Sequence, residues 1–168
     1  MTQYVVFYLV FLATCFPVAI LHELGHILVG WLQGARGPVI RLGHPKSRCW
    51  SVLRVGPCEV RLHGLVTLWT TPAGFLFRQN QSPSPAGAAL RAAGGPLACA
   101  LLFAAMGPQA WWPSQPFTRP LQTCLVFWSL ANTVIPLIPV TWPHTGASSD
   151  GLVIWSVVLQ ALRRRGER

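Results

Sequence analysis

The chain has 168 residues, of which 52% are hydrophobic and 10% are charged, and its formal net charge is +9. Soluble domains carry roughly 25% charged residues, so this composition disfavours a water-soluble fold and favours a membrane protein. The positive charge is compatible with nucleic-acid binding. However, the basic residues lie outside the apolar runs and form no aromatic RNA-binding or recognition-helix pattern. We therefore expect the lipid bilayer, and no nucleic acid, as a partner.

Three apolar segments are predicted to cross the membrane. The first, from Tyr4 to Leu32, measures about 43 Å as a straight helix, against about 30 Å for the hydrocarbon core. The second and third are predicted at about 86–106 and 121–140. A further apolar helix, from Leu152 to Leu162, is too short to span, so we expect it to lie along the interface or to pack on the core.

The polar segment between the first two spans, residues 33–85, is predicted to contain short strands. Residues 52–55 and 60–69 show partial period-two alternation, and Gly56-Pro57 between them is typical of a turn. The predicted fold is an α-helical integral membrane protein with three core transmembrane helices. A small β-hairpin or sheet lies between the first and second of them, a short interfacial helix ends the chain, and 1–168 form a single domain.

The distribution of basic residues predicts the orientation of these spans. The loop 33–85 and the tail after Leu162 hold nearly all of the arginines, whereas the loop between the second and third spans has only Arg119. By the positive-inside rule the 33–85 loop and the C-terminus are cytoplasmic and the N-terminus is outside. We expect the setting to be a bacterial cytoplasmic membrane. The ends of the first and third spans then lie on the same side.

The motif His22-Glu23-Leu24-Gly25-His26 lies inside the first span, which contains no other charged side chain. Helical positions i and i+4 share one face, so His22 and His26 can offer two imidazole nitrogens to one Zn²⁺. Glu23 is then placed to act as general base on the attacking water. The alternative is a pair of core histidines satisfied by neighbouring helices, but ionisable residues in a membrane span are costly and usually functional.

A catalytic zinc site needs a third protein ligand and one open position. The chain contains four acidic residues, and Asp150 is the one that topology brings near the histidines after the third span. The alternative role for Asp150 is to cap the helix that begins at Leu152, and both roles can hold together. His144 is the other candidate ligand, either replacing or supplementing Asp150. We expect one Zn²⁺ per chain.

The sequence leaves more than one role open for several residues outside the histidine motif. The amide of Asn132, in the middle of its span, must bond either to a helix neighbour or to the backbone of a substrate. The strand-like 50–69 region can supply an edge onto which an unwound substrate adds, with Val60 to Leu68 as the segment to test by proline substitution. The five cysteines indicate no disulfide framework, and Cys99 is expected to be a small buried thiol.

These motifs together resemble the site-2 protease family of intramembrane zinc metalloproteases. The resemblance rests on three motifs and covers most of the chain: His22-Glu23-Leu24-Gly25-His26, Gly94-Gly95-Pro96-Leu97-Ala98, and Asn132 with Pro136 followed by Asp150-Gly151. It implies that His22, His26 and Asp150 bind zinc, that Glu23 is catalytic and that Asn132 helps to bind substrate. Asn132 and Asp150 are further apart than in the family's usual motif. Nothing between the spans resembles an inserted peptide-binding domain, which indicates a minimal member.

The function we expect is therefore an intramembrane zinc metalloendopeptidase acting on a transmembrane protein substrate. The alternative is a catalytically idle zinc-binding membrane scaffold or regulator. Glu23 beside the two histidines favours the enzyme, because a purely structural site needs no base. A transporter or metal carrier ranks last, since three spans with one ionisable cluster offer little for a translocation path.

Overall fold

The computed structural model describes residues 2–43, 48–63, 74–79, 83–111, 119–142 and 147–166. It contains four α-helices, four β-strands and a short 3-10 helix within these ranges. In chain order they are α1 (Thr2–Leu32), β1 (Arg36–Leu42), β2 (Cys49–Val55), β3 (Cys58–His63), β4 (Gly74–Gln79), α2 (Pro85–Trp111), α3 (Arg119–Val134), the 3-10 helix (Ile135–Leu137) and α4 (Asp150–Gly166).

Three helical segments are long and apolar enough to cross a membrane: Tyr4–Leu32, Pro85–Gly107 and Pro120–Leu137. Large apolar side chains cover their outer faces, including Leu9 (59% exposed) and Leu101 (71% exposed). So much exposed apolar surface is unfavourable in water and is typical of helices that contact lipid. The predicted combination of three membrane-length helices with a small sheet is confirmed at this level.

The third helical segment is shorter than the predicted 121–140. Helix α3 ends at Val134, the 3-10 helix follows, and Ile138 is already extended with φ −68° and ψ 122°. Pro136 lies at the start of the 3-10 turn, where its missing N–H and its ring prevent the α-helical hydrogen-bond pattern from continuing. The chain therefore leaves the helix early and turns toward α4.

Small residues set the spacing between α1 and α2. A methyl group added at Gly25 would lie 2.8 Å from the Cβ of Ala98 and closer still to the backbone of Gly94. This close approach requires glycine on both helices. Helix α3 is joined to α1 by a hydrogen bond from Trp128 Nε1 to the carbonyl of Phe11, at 2.8 Å, and α4 packs against α2.

The sheet between α1 and α2 has the strand order β2-β3-β1-β4. The hairpin predicted around Gly56-Pro57 is confirmed, since β2 and β3 pair antiparallel across this turn and Gly56 has a positive φ of 56°. Residues 64–69 of the predicted second strand lie outside the described residues. The sequence did not predict β1, which pairs parallel with β3, or β4, which pairs antiparallel with β1. Ile27 of α1 packs against Ile40 and Phe77 of this sheet.

Glu59 on β3 is the centre of an ionic network on the sheet. Glu59 is only 6% exposed, and its carboxylate accepts hydrogen bonds from Arg61 Nε at 2.6 Å and from Arg78, with Arg54 Nε 3.6 Å away. The hydrogen bond from Arg61 is the main reason why the pKa of Glu59 is lowered; burial opposes this effect, and Arg78 reinforces it. The network connects the β2–β3 hairpin to β4.

We expect acid to weaken the sheet through this network. A carboxyl group whose pKa is lower in the folded state stabilises the fold above its unfolded pKa, near 4.5, and that contribution is lost as the pH falls through the folded value. Hydrogen exchange at the β3 amides, corrected for intrinsic rates, should therefore rise on acidification below about pH 4.5. Glu59→Gln should remove this pH dependence. An unchanged pH profile in the variant would contradict the role of Glu59.

Candidate metal centre

Helix α1 places His22 and His26 one turn apart on a single buried face. They are 6% and 2% exposed, and their Nε2 atoms lie 3.1 Å apart. This is the arrangement that the i, i+4 spacing predicts. The two imidazoles therefore converge on one point.

Asp150 reaches the same point from the start of α4. Its Oδ2 lies 3.2 Å from His22 Nε2 and 3.4 Å from His26 Nε2. Burial raises the pKa of Asp150, but the hydrogen bonds with His22 and His26 outweigh this effect and the net pKa is lowered, so the carboxylate stays ionised. Three ligand atoms, from two neighbouring histidines and an aspartate 128 positions after the first of them, thus meet in one group that can hold a metal ion.

The cap of α4 is Ser149, and the predicted alternative of Asp150 as the cap is wrong. Ser149 Oγ accepts a hydrogen bond from the N–H of Leu152 at 3.2 Å, which is the usual N-cap geometry. Asp150 is the first residue of the helix. Because Ser149 satisfies the helix end, the carboxylate of Asp150 is free to face the histidines.

The extended segment after α3 holds Ser149 in place. Ser149 exchanges backbone and side-chain hydrogen bonds with Val140, and its Oγ donates to the carbonyl of Ile138 at 2.6 Å. The N–H of Trp142 donates to the carbonyl of Ala147 at 2.8 Å. The pairing of residues 140–142 with 147–149 thus places Asp150 close to the end of the 3-10 helix despite the long separation between Asn132 and Asp150. His144, the other predicted ligand, lies outside the described residues.

The ring of His26 is oriented by three contacts on its far side. Its Nδ1 lies 2.8 Å from the carbonyl oxygen of Arg91 and 3.3 Å from the backbone nitrogen of Gly95, both on α2, and the ring stacks on Phe75 of β4 at 4.6 Å between centroids. When Nδ1–H donates to this carbonyl, the lone pair of Nε2 is directed at the group of ligand atoms. The Arg91 side chain is itself held by Gln33 Oε1, 2.9 Å from its Nη2.

Glu23 lies beside the ligand group in a buried position. The residue is 5% exposed, and its Oε2 has no hydrogen-bond partner among the described residues. An orphan carboxylate oxygen inside a protein costs free energy and requires an explanation. A site where a polar ligand or water binds supplies one.

Asn132 is placed by its own helix. Its Nδ2 donates to the carbonyl of Trp128, one turn earlier, at 2.9 Å. This is the helix-neighbour alternative, and it leaves the side-chain oxygen of Asn132 as the atom with which a substrate amide can interact. The predicted substrate-binding role of Asn132 stays a prediction.

Gly95 on α2 is a site residue whose function the sequence did not indicate. A methyl group added there would lie 2.6 Å from His22 Nε2 and closer still to His26 Nε2. The two histidines therefore fit against α2 only because position 95 has no side chain. The signal was present in the motif Gly94-Gly95-Pro96, but a glycine pair in a membrane helix equally indicates helix packing.

Gly95→Ala is expected to lower metal affinity by tenfold or more, because the imidazoles must move, while the helix itself gains about 1 kcal/mol from alanine. The matched control is Gly107→Ala on the same helix, where an added methyl group meets no atom within 4 Å among the described residues. Metal titration and circular dichroism of both variants test this. Equal metal affinity in the two variants would show that the space at Gly95 is not required.

Comparison with models of known protein families, with curated proteins and with solved structures finds no match for this chain.

Proposed function

We propose that this chain is an intramembrane zinc metalloendopeptidase, similar to the site-2 protease family, that hydrolyses peptide bonds of membrane-embedded proteins. The observation that carries the proposal is Glu23, whose buried carboxylate has an oxygen without a partner in the described part of the chain beside two histidines and an aspartate. A purely structural metal site has no use for such a base. The scaffold alternative leaves this carboxylate unexplained.

The donor set supports zinc as the metal. With ligand bonds of about 2.0–2.1 Å, a tetrahedral zinc site has ligand atoms about 3.3–3.4 Å apart. The three separations here are 3.1, 3.2 and 3.4 Å. Two imidazole nitrogens and one carboxylate oxygen make three protein ligands, which is the number found in catalytic sites. When bound, zinc supplies Lewis-acid polarisation of water and of the scissile carbonyl.

The protein side chains then have distinct roles in hydrolysis. Glu23 accepts the proton of the attacking water and returns it to the leaving amine. The carbonyl of Arg91 holds His26, and the cap at Ser149 holds Asp150, so the ligands are positioned before substrate arrives. The burial of Glu23, which is 5% exposed, limits the access of bulk water to its carboxylate and strengthens the electrostatic interactions there.

A membrane substrate must be locally unwound before it is cut, because its peptide groups are internally hydrogen-bonded. Residues 60–63 of the segment predicted as a docking edge are internal to the sheet, because β3 pairs with both β1 and β2, and residues 64–68 lie outside the described residues. The outer strands of the described sheet are β2 and β4. Phe75 of β4 stacks on His26, so we propose the outer edge of β4 as the place where unwound substrate adds as a strand.

A photo-crosslinking amino acid placed at Leu76 on β4 should therefore capture substrate efficiently. The matched control is the same amino acid at Val52 on β2, the opposite edge of the sheet. The yield of crosslinked substrate, measured by gel shift with a Glu23→Gln chain to prevent turnover, compares the two edges. Stronger capture from Val52 would place substrate at the other edge.

The proposed activity is tested by reconstituting the purified chain in liposomes with a single-pass reporter protein. Cleavage should occur, cease after chelator treatment and return with Zn²⁺, and mass spectrometry should locate the cut within the reporter's transmembrane segment. A chain that binds zinc stoichiometrically but cuts no member of a panel of single-pass reporters favours the idle scaffold. A chain that binds no metal removes the basis of both functions.

A further inference from the structure

Cys99 in the middle of α2 contacts the metal centre from the side opposite the ligand atoms. It is 0% exposed, and its Sγ lies 3.8 Å from His22 Nδ1 and 3.9 Å from the carbonyl oxygen of Val18. The sequence suggested only a small buried thiol at this position. Its contacts show instead that Cys99 packs against α1 and contacts both the backbone of Val18 and the ring of His22.

The direction of these hydrogen bonds follows from which nitrogen of His22 carries the proton. His22 directs its Nε2 to Asp150 and His26, so a neutral imidazole that ligates through Nε2 carries its proton on Nδ1. Cys99 can accept that proton's hydrogen bond at sulfur while its own S–H donates to Val18. A thiol can do both at once, because sulfur is both a weak acceptor and a weak donor.

We propose that Cys99 is a positioning residue that fixes the tautomer and ring orientation of His22. It does for His22 what the carbonyl of Arg91 does for His26, so that each imidazole is held by a partner on α2. Mutation of an outer-shell partner of this kind typically lowers metal affinity by 10–100-fold. The inference rests on the metal site of the proposed function but concerns a residue that does not itself bind the metal.

The test compares Zn²⁺ affinity, measured by chelator competition, in Cys99→Ala and Cys99→Ser. The matched control is Cys124→Ala, which removes a thiol that is 1% exposed on α3. We expect Cys99→Ala to lose about tenfold in affinity, the low end for such partners because a thiol is a weak acceptor. Cys99→Ser should recover most of the loss, since a hydroxyl both accepts and donates. Cys124→Ala should match the wild type.

Equal Zn²⁺ affinity in wild type, Cys99→Ala and Cys124→Ala would overturn the inference and leave the proposed function intact. A wild-type chain that binds no Zn²⁺ would overturn both. If Cys99→Ala does not fold, the Zn²⁺ affinity of Cys99→Val is decisive, because valine fills the space of the thiol but can neither accept nor donate a hydrogen bond. Wild-type affinity in Cys99→Val would contradict a positioning role.

Discussion

Replacing Glu23 with glutamine is expected to lower the rate of peptide hydrolysis by about 10²–10⁴-fold, the usual contribution of a general base, while the chain keeps its metal. Glutamine has nearly the same shape as glutamate but cannot accept the proton of the attacking water. Glu23 is not one of the three residues whose side chains form the group that can hold a metal ion. Reporter cleavage and metal content of the same purified sample therefore test the base separately from the site.

Stability gives a second measurement on this variant. Glu23 is 5% exposed, so the glutamine removes a buried charge and should leave the unfolding temperature unchanged or higher. Glu59→Gln is the matched control, since it makes the same chemical change on the sheet and should leave cleavage unaltered at neutral pH. Full activity in Glu23→Gln would exclude Glu23 as the base. Loss of both metal and activity in Glu23→Gln would show that Glu23 is needed for metal binding itself.

Local patterns in the sequence were sufficient for part of this centre. The i, i+4 spacing of His22 and His26 predicts two imidazoles on one helical face, and their Nε2 atoms do lie 3.1 Å apart. Asp150 was predicted from topology, since the chain has four acidic residues and, of the two after the third apolar span, Glu167 lies in the C-terminal tail. In both cases the deciding information is short-range or is carried by charge and hydropathy along the chain.

The remaining parts depend on contacts between distant segments. Strand β1 contains Gly37 and Pro38, which obscure its alternation, and it is stabilised by parallel pairing with β3 and antiparallel pairing with β4. The carbonyl of Arg91 acts on His26 although any residue has a carbonyl, so no side-chain pattern marks it. Gly95 is required because it has no Cβ, which leaves room for the rings of His22 and His26. Such features appear only once the helices are packed.

The same distinction applies to the third ligand. Asp150 was predicted from topology, but its geometry depends on Ser149, which caps α4 and is held by the extended segment after the 3-10 helix. Gly151 adds a further constraint, because a methyl group there would collide with the backbone of Leu137. The pair Asp150-Gly151 thus combines the proposed third ligand with the small residue that lets α4 begin beside the 3-10 helix.

Asp150→Asn is expected to reduce metal affinity by more than the 10–100-fold that outer-shell changes cost, because it removes a charged ligand itself. The amide keeps the size of the side chain, so the fold should be retained. Peptide hydrolysis should fall with metal occupancy and recover in part at high Zn²⁺ concentration. Zinc titration followed by cleavage assays at saturating metal separates the loss of binding from any further loss of turnover.

Two further variants distinguish a ligand from a supporting residue. Ser149→Ala removes the cap, which should cost about 0.5–2 kcal/mol of stability and weaken metal binding less than Asp150→Asn does, since the carboxylate remains. His144→Ala tests the other predicted ligand. If Asp150→Asn keeps wild-type affinity and His144→Ala loses it, the third ligand is His144 and the contact between Asp150 and the histidines is an ion pair. The reverse result assigns the metal to His22, His26 and Asp150.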